Sequence, residues 1–287
     1  MKNINHILKF VLLIFIGTQL SAQDIHFSQF YESPLLLNPA AAGSSPTDFR
    51  FVVNYKNQWK SIGTPYKTAA ISYDQRFYLN KKKKGNHLGI GINLFNDKVG
   101  LSTLTTNQMN LNVAYHLFFS RFSSLSVGAL GGYFQRSVDP YDLKWDRQYN
   151  GKNYDASRAN GENIPYQSIA KFDVGAGILY QFYQKSIRTK FEIGGSMMHI
   201  TKPKYSFYNS DPSLSYKYTG HMNLQFKGGE DLIIMPAALF TLQGKQMEIT
   251  AGSNFRIMLS EETRDKVILN TFTLISSAIQ FGAFYRV

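Results

Sequence analysis

The stretch NQMNLNVAYHLF, residues 107–118, decides the fold class of this chain. Its apolar residues occupy every second position and are Met109, Leu111, Val113, Tyr115 and Leu117. The positions between them hold Gln108, Asn110, Asn112, Ala114 and His116. A period of two over about ten residues is typical of a β-strand with one apolar and one polar face. A helix cannot present this pattern, because a repeat of 3.6 residues would scatter both sets around its axis.

The same two-residue period recurs along most of the chain. The glycine-rich pieces at 128–132 and 175–177 lie inside such runs, where glycine permits a bend or the close approach of another backbone. The chain is therefore predicted to be all-β. With the opening stretch, the period predicts eleven strands, the others spanning residues 49–56, 68–74, 88–94, 125–136, 171–182, 190–200, 216–226, 232–242, 246–257 and 273–285.

Composition excludes several classes of function. The 287 residues include no cysteine, which removes disulfides, thiolate chemistry and cysteine-bound metals. The net charge of +12 is spread along the chain and no nucleic-acid recognition motif accompanies it, so no nucleic-acid partner is predicted. Anionic lipid headgroups or an acidic partner are the expected targets of such a basic surface.

The N-terminus has the pattern of a secretory signal peptide. Lys2 and Lys9 flank its start, residues 10–16 are wholly apolar, and Ser21-Ala22 offers a small-residue cleavage site. A membrane-spanning helix needs about twenty apolar residues, and this run is too short. We therefore predict that residues 1–22 are a signal peptide and that the protein is exported.

Strand length and residue placement favour a membrane barrel over a soluble β-sandwich. The predicted strands approach the roughly nine to eleven residues that cross a bilayer at a tilt, whereas soluble strands average about five or six. Aromatic pairs such as Phe118-Phe119 lie at strand ends, as in an interfacial girdle. Lys171, Lys217 and Arg256 lie on the polar parity and are expected to point inward, because a cation facing mid-bilayer costs about 2–4 kcal/mol.

We therefore predict an antiparallel transmembrane β-barrel of the outer membrane over residues 48–287. The apolar residues of the opening stretch should face lipid, and Asn110, Asn112 and His116 should face the lumen. We expect 11–12 strands in this chain. Single-chain bacterial barrels have an even number of strands, so eleven strands alone would leave the barrel incomplete. If the chain is C-terminally truncated, the complete barrel would have about 14.

The connections between predicted strands alternate between two sides. The two long ones, at 137–167 and 201–214, fall on one side, and the short ones at 120–124, 183–187 and 227–231 fall on the other. Long extracellular and short periplasmic connections are typical of outer-membrane barrels. Residues 23–47 carry Pro34, Pro39 and Pro46 and do not alternate, so they are predicted to form a periplasmic N-terminal docking segment rather than a strand.

Residues that could carry chemistry are sparse. The six histidines lack the spacing of metal ligands, and no serine lies in a nucleophile-elbow motif. We therefore predict no enzymatic activity, no metal and no cofactor. The connection at 137–167 is long enough to be functional. It contains residue types enriched at binding hot spots and is predicted to bind a partner through Tyr141, Trp145, Arg147 and Tyr149, although a loop without a binding role remains the alternative.

Several motifs resemble those of the PorP/SprF family of Bacteroidetes outer-membrane proteins. They are DIHFSQFY at 24–31, NPAAAG at 38–43, YKNQW at 55–59 and FGAFYR at 281–286. The resemblance implies a membrane component of the type IX secretion and gliding machinery, with Asn38 and Pro39 as candidate partner-binding residues. The implied partners are a periplasmic peptidoglycan-associated protein and a secreted adhesin or type B C-terminal-domain substrate, which the protein would help to export or anchor.

Two other functions remain open at this point. An outer-membrane porin or solute channel would use the same barrel to conduct ions, and its lumen would have to be open. A soluble exported β protein would also show alternation, but it would not fractionate with the outer membrane.

Overall fold

The structure, a computed structural model, describes residues 24, 27, 29–59, 61, 64–79, 85–100, 104–139, 143–161, 167–184, 189–207, 213–229, 231–258 and 278–286. The predicted signal peptide lies outside these residues. The described chain contains a single sheet of eleven strands, in which each strand pairs antiparallel with the next along the sequence. The strand count expected from the alternation is therefore confirmed. The strands are β1 (Phe49–Gln58), β2 (Tyr66–Tyr78), β3 (His87–Val99), β4 (Leu104–Phe118), β5 (Ser123–Ser137), β6 (Ser168–Gln184), β7 (Thr189–Met198), β8 (Lys217–Lys227), β9 (Leu232–Gln243), β10 (Gln246–Met258) and β11 (Ala278–Arg286).

The sheet buries its polar face and exposes its apolar face. In β4, Met109 is 49% exposed and Leu111 is 51% exposed, whereas Asn112 between Leu111 and Val113 is fully buried. The other predicted lumen residues, Asn110 and His116, are also buried. This arrangement is the reverse of a soluble protein and matches a sheet whose outer face meets lipid. We call the buried polar side the inner face and the exposed apolar side the outer face.

A short stretch before β1 explains why the inner face is buried. It consists of residues 24, 27 and 29–48, which we call the internal segment. Its Tyr31 hydroxyl donates to Asn254 of β10 at 3.1 Å, and its Gly43 N–H donates to Asp74 of β2 at 2.7 Å. Because one short segment touches strands near both ends of the sheet, the sheet must curl around it. The all-β, barrel-like fold predicted from the sequence is thus confirmed.

The internal segment is not a strand, as its prolines predicted. It forms a 3-10 turn at Phe30–Glu32, a helical turn at Pro34–Leu37 and a second 3-10 turn at Pro39–Ala41. Proline occupies the first position of the last two turns, where its missing N–H would have no partner in any case.

Successive connections alternate between two rims of the sheet, as expected for an up-and-down meander. The long-connection rim carries the connections at 138–167 and 199–216, and the short-connection rim carries those at 119–122, 185–188 and 228–231. The length rule does not hold throughout, because the connections at 100–103 and 244–245 are short although they lie on the first rim. Which rim faces the cell exterior stays a prediction.

No helix among the described residues is long and apolar enough to cross a membrane.

Placing a cation on the outer face should destabilise the protein in lipid. Leu111 is the central residue of β4, so Leu111→Arg should lower the free energy of unfolding in lipid vesicles by about 2–4 kcal/mol. Denaturant titration measures this change. Leu111→Met keeps the position apolar and is the matched control. Equal stability of the two variants would show that this face does not meet lipid.

Candidate functional site

Asn38 ties the internal segment to three strands at once. Its Nδ2 lies 2.9 Å from the carbonyl oxygen of Ile178 in β6, 3.3 Å from that of Gly195 in β7, and 3.3 Å from Nε2 of His221 in β8. Its Oδ1 accepts from the Ala40 N–H at 2.9 Å and so caps the turn that follows. Asn38 is fully buried, so its own side-chain amide depends on these groups for hydrogen-bond partners.

Glycines on the inner face let the backbone of the internal segment touch the sheet. A Cβ built on Gly89 of β3 would lie 1.9 Å from the Ala42 oxygen, and one on Gly128 of β5 would lie 2.4 Å from the Ala40 nitrogen. One on Gly177 of β6 would lie 2.0 Å from Oδ1 of Asn38. No side chain fits at such distances. The strand glycines thus provide the close backbone approach that the sequence predicted.

Two stacked histidines of the inner face contact the carbonyl groups of Ala42 and Gly43 in the internal segment. The rings of His87 and His116 have centroids 4.3 Å apart and are tilted by only 14°. Nε2 of His116 lies 2.7 Å from the Ala42 oxygen and must donate, since a carbonyl only accepts. Its Nδ1 then accepts from the Ser126 hydroxyl at 2.6 Å. Nε2 of His87 lies 3.1 Å from the oxygen of Gly43.

An ion pair fixes the end of the internal segment beside β1. The Arg50 guanidinium contacts the Asp74 carboxylate at 2.8 and 3.1 Å and also donates to the Ala41 oxygen at 3.0 Å. Gly43, which donates to the same carboxylate, has a φ of +71°, a left-handed conformation that favours glycine. The chain therefore turns here from the inner face into β1.

The other end of the internal segment is held at the long-connection rim by a charged cluster of Asp24, Asp173, His199 and Lys217, which we call the rim cluster. Nδ1 of His199 lies 2.7 Å from Asp173, and its Nε2 lies 2.5 Å from Asp24. Lys217 lies 3.6 Å from Asp24. His199 has a φ of +60°, a strained conformation for a residue other than glycine, so the surrounding contacts must hold it in place.

The two carboxylates keep His199 charged. Burial acts to lower the pKa of the imidazole, but the hydrogen bonds and charges of Asp173 and Asp24 raise this pKa to about 9. For Asp24, burial acts to raise the pKa, yet Lys217 and His199 outweigh it and hold the pKa of this carboxyl well below its ordinary range. At neutral pH the His199 imidazole is therefore charged and lies between the side chains of Asp173 and Asp24.

A folded lobe stands on the same rim. It comprises residues 143–161 of the connection between β5 and β6, which we call the rim lobe. The backbones of Tyr149 and Tyr154 form a β-bridge, and Arg158 donates to the Tyr149 oxygen at 2.8 Å. The buried Gln148 side chain donates to the Arg158 oxygen at 3.2 Å. Tyr149 is 56% exposed, so an aromatic side chain on a supported backbone is presented to the surroundings.

A family model described as type IX secretion system membrane protein PorP/SprF matches residues 19–287. The chain belongs to the PorP/SprF family. The resemblance found in its motifs is therefore confirmed, and membership makes the protein a membrane component of the type IX secretion system. Comparison with curated proteins finds no match.

Within this PorP/SprF chain, the residues predicted to bind partners separate into two groups. Asn38 and Pro39 lie buried against the inner face, where Asn38 makes the contacts described above. Trp145, Arg147 and Tyr149 lie in the rim lobe, Arg147 and Tyr149 exposed and Trp145 half-buried. Tyr141 lies outside the described residues. The structure does not bring the two groups together, and the partner-binding role of each stays a prediction.

The three cations expected to point inward all lie on the inner parity of their strands. Lys217 joins the rim cluster, and Arg256 lines a small cavity beside Tyr31 and Glu32 of the internal segment. Lys171 shares the inner parity of Asp173 but lies near the strand end and is exposed. The sequence reasoning missed the rim cluster, because Asp24, Asp173 and His199 are far apart in the chain and carry no spacing signal.

Adding one methyl group beneath the internal segment should loosen it. Gly128→Ala would place a Cβ 2.4 Å from the Ala40 nitrogen, so hydrogen exchange of residues 34–43 should accelerate by at least about tenfold. Gly131→Ala in the same strand is the control, since no atom of the described residues lies within 4 Å of a Cβ built there. Mass spectrometry reads both variants. Equal protection of the segment in the two would argue against backbone contact at Gly128.

Stability should fall at alkaline pH through His199. Because the folded pKa of about 9 lies above the ordinary value of 6.5, its contribution is fully present below pH 6.5 and is lost as pH rises through 9. His199→Gln should therefore flatten the fall in melting temperature between these pH values. His26 lies outside the described residues, so His26→Gln serves only as a check for general histidine effects. The assignment would be contradicted if the melting temperature of His199→Gln fell over this pH range as much as that of the unmodified protein.

Proposed function

We propose that this protein is a non-enzymatic outer-membrane partner of type IX secretion that aids the export or surface anchoring of a secreted, adhesin-like substrate. In this proposal the sheet holds the protein in the membrane, the internal segment supports the sheet, and the rim lobe binds the partner. The rim lobe is the observation that carries the proposal, because it is a folded element that the sheet does not need for its own pairing.

The surface of the rim lobe has the chemistry of a protein-binding site. Exposed Tyr149 and Tyr154 lie opposite each other across the β-bridge. Tyrosine and arginine are enriched among residues that dominate binding energy. The lobe has an excess of positive charge, which favours an acidic partner. Its cationic residues are Lys144, Arg147, Lys152 and Arg158, and its acidic residues are Asp146 and Asp155.

The internal position of Asn38 and Pro39 gives them a different part in the proposal. Their burial supports a role in holding the internal segment against the sheet, and contact with a partner would require the segment to leave the inner face. The family resemblance also implies a periplasmic peptidoglycan-associated partner. That protein would then bind at a rim of the sheet or at the tips of the connections between strands.

The channel alternative is less well supported. A porin requires a water-filled lumen. Here the internal segment lies over the inner face and contacts β2, β6 and β10. No observation on the described residues favours conduction over partner binding.

Removing the exposed side chains of the rim lobe should weaken substrate capture. Arg147→Ala combined with Tyr149→Ala should cost about 2 kcal/mol, or roughly thirty-fold in Kd, if these residues are a binding hot spot. The measurement is the amount of secreted substrate and secretion-system protein that co-purifies with the tagged protein from its own membranes.

Asn153→Ala replaces an exposed, uncharged side chain of the same lobe and is the matched control. β-sheet content by circular dichroism checks folding in all variants. A linker replacement of residues 143–161 should abolish capture entirely. Unchanged recovery with both the double variant and the linker replacement would overturn the proposal.

A further inference from the structure

A cavity of about 380 Å³ lies between the internal segment and the inner face, below the long-connection rim. Pockets that bind small molecules have volumes of roughly 300–1,000 Å³. The cavity is therefore large enough for a small ligand, and neither the rim lobe nor the pairing of strands explains it.

The walls of this cavity are unusually apolar for the inside of such a sheet. The inner face of a membrane barrel is normally polar. Here Phe95, Leu130, Phe134 and Met198 all point to the inner side and are buried, and Leu35 of the internal segment completes the wall. An apolar chain is the kind of group that such a wall binds, because it removes apolar surface from water.

One cation on the cavity wall has donor capacity left. Nε of Arg136 is buried and has no hydrogen-bond partner among the described residues. The guanidinium lies over the Tyr205 ring at 5.5 Å from its centroid, and this ring contact gives Nε no hydrogen-bond acceptor.

The remaining charged groups around the cavity already have partners. His199, Asp24, Asp173 and Lys217 form the rim cluster. Asp97 also lines the cavity, is almost fully buried and accepts a hydrogen bond from Thr68 at 2.6 Å. It is attracted electrostatically by Arg136, but Nε of Arg136 has no hydrogen-bond acceptor among the described residues. The unmet donor therefore belongs to Arg136, and a guanidinium matches the planar, two-oxygen geometry of a carboxylate.

We propose that this cavity binds a small amphiphile consisting of an apolar chain that ends in one carboxylate. The chain lies against the apolar wall and the carboxylate pairs with Arg136. This site is separate from the rim lobe, and its occupancy does not depend on the partner binding proposed above.

Octanoate and octan-1-ol test the proposal as a pair that differs only in the carboxylate. Titration calorimetry on the full chain in lipid nanodiscs, with empty nanodiscs as the blank, measures binding to each. One octanoate should bind per chain, at least about tenfold more tightly than octan-1-ol, because a carboxylate accepts charge-assisted hydrogen bonds from the guanidinium whereas a hydroxyl is a weaker, neutral acceptor.

Variants assign the preference to Arg136. Arg136→Gln should bring the octanoate-to-octanol ratio close to one, whereas Arg136→Lys should keep part of it because the charge remains. Lys152→Gln removes a rim cation that does not line the cavity and should leave the ratio unchanged. Equal binding of the two ligands to the unmodified protein, or an unchanged ratio in Arg136→Gln, overturns the proposal.

A second pair of probes separates a free amphiphile from the end of a polypeptide. A short apolar peptide with a free C-terminal carboxylate is compared with its C-terminal amide. Binding of octanoate supports the free amphiphile, whether or not the peptide competes with it. Binding of the peptide acid without binding of octanoate overturns the small-amphiphile assignment. Loss of substrate capture in rim-lobe variants with octanoate binding intact would leave this proposal standing on its own.

Discussion

Hydrogen bonding between the internal segment and the buried polar face of the sheet is the interaction on which the rest of the structure depends. With its apolar face outward, the sheet carries Asn112, His116 and many other polar side chains on the side that is closed off. Each buried polar group left without a partner costs about 1–3 kcal/mol. The internal segment supplies hydrogen-bond partners through its own backbone carbonyls and through Asn38, which contacts three strands. The polar face and the segment therefore form one hydrogen-bonded core, with small apolar clusters such as that of Phe30, Leu37 and Leu239 between them.

This core explains both where the fold was predictable from sequence and where it was not. Alternation depends on each residue and its neighbours two positions away, so the eleven strands and the facing of residues 107–118 could be predicted from the chain alone. The position of Asn38 could not, because its partners at Ile178, Gly195 and His221 lie in strands far along the chain. The turn-forming prolines of the internal segment showed that it is not a strand. They did not show which strands it packs against. A polar motif beside prolines has the same sequence pattern whether it docks a partner or fills a barrel.

The rim lobe shows a different limit of prediction from sequence: its chemistry could be predicted, but its ordered conformation could not. The residue types of Trp145, Arg147 and Tyr149 identified the connection as a candidate binding element, yet the sequence left open whether it was ordered. Its order comes from contacts such as Arg158 with the Tyr149 backbone and Gln148 with the Arg158 backbone. These are side-chain contacts to main-chain groups in an irregular loop, which follow no period. Composition therefore predicts the chemistry of such a loop, and only the three-dimensional contacts show that it presents a fixed surface.

The two long connections and the internal segment share a single support at the rim. Arg136, at the end of β5 where the lobe-bearing connection begins, lies over Tyr205 of the connection between β7 and β8. That second connection begins at His199, which pairs with Asp173 of β6 and with Asp24 of the internal segment. Since His199 holds a strained backbone conformation, its position is determined by these partners rather than by local preference. The end of β5, the neighbouring connection and the start of the internal segment are therefore held together, and all three contribute residues to the wall of the apolar cavity.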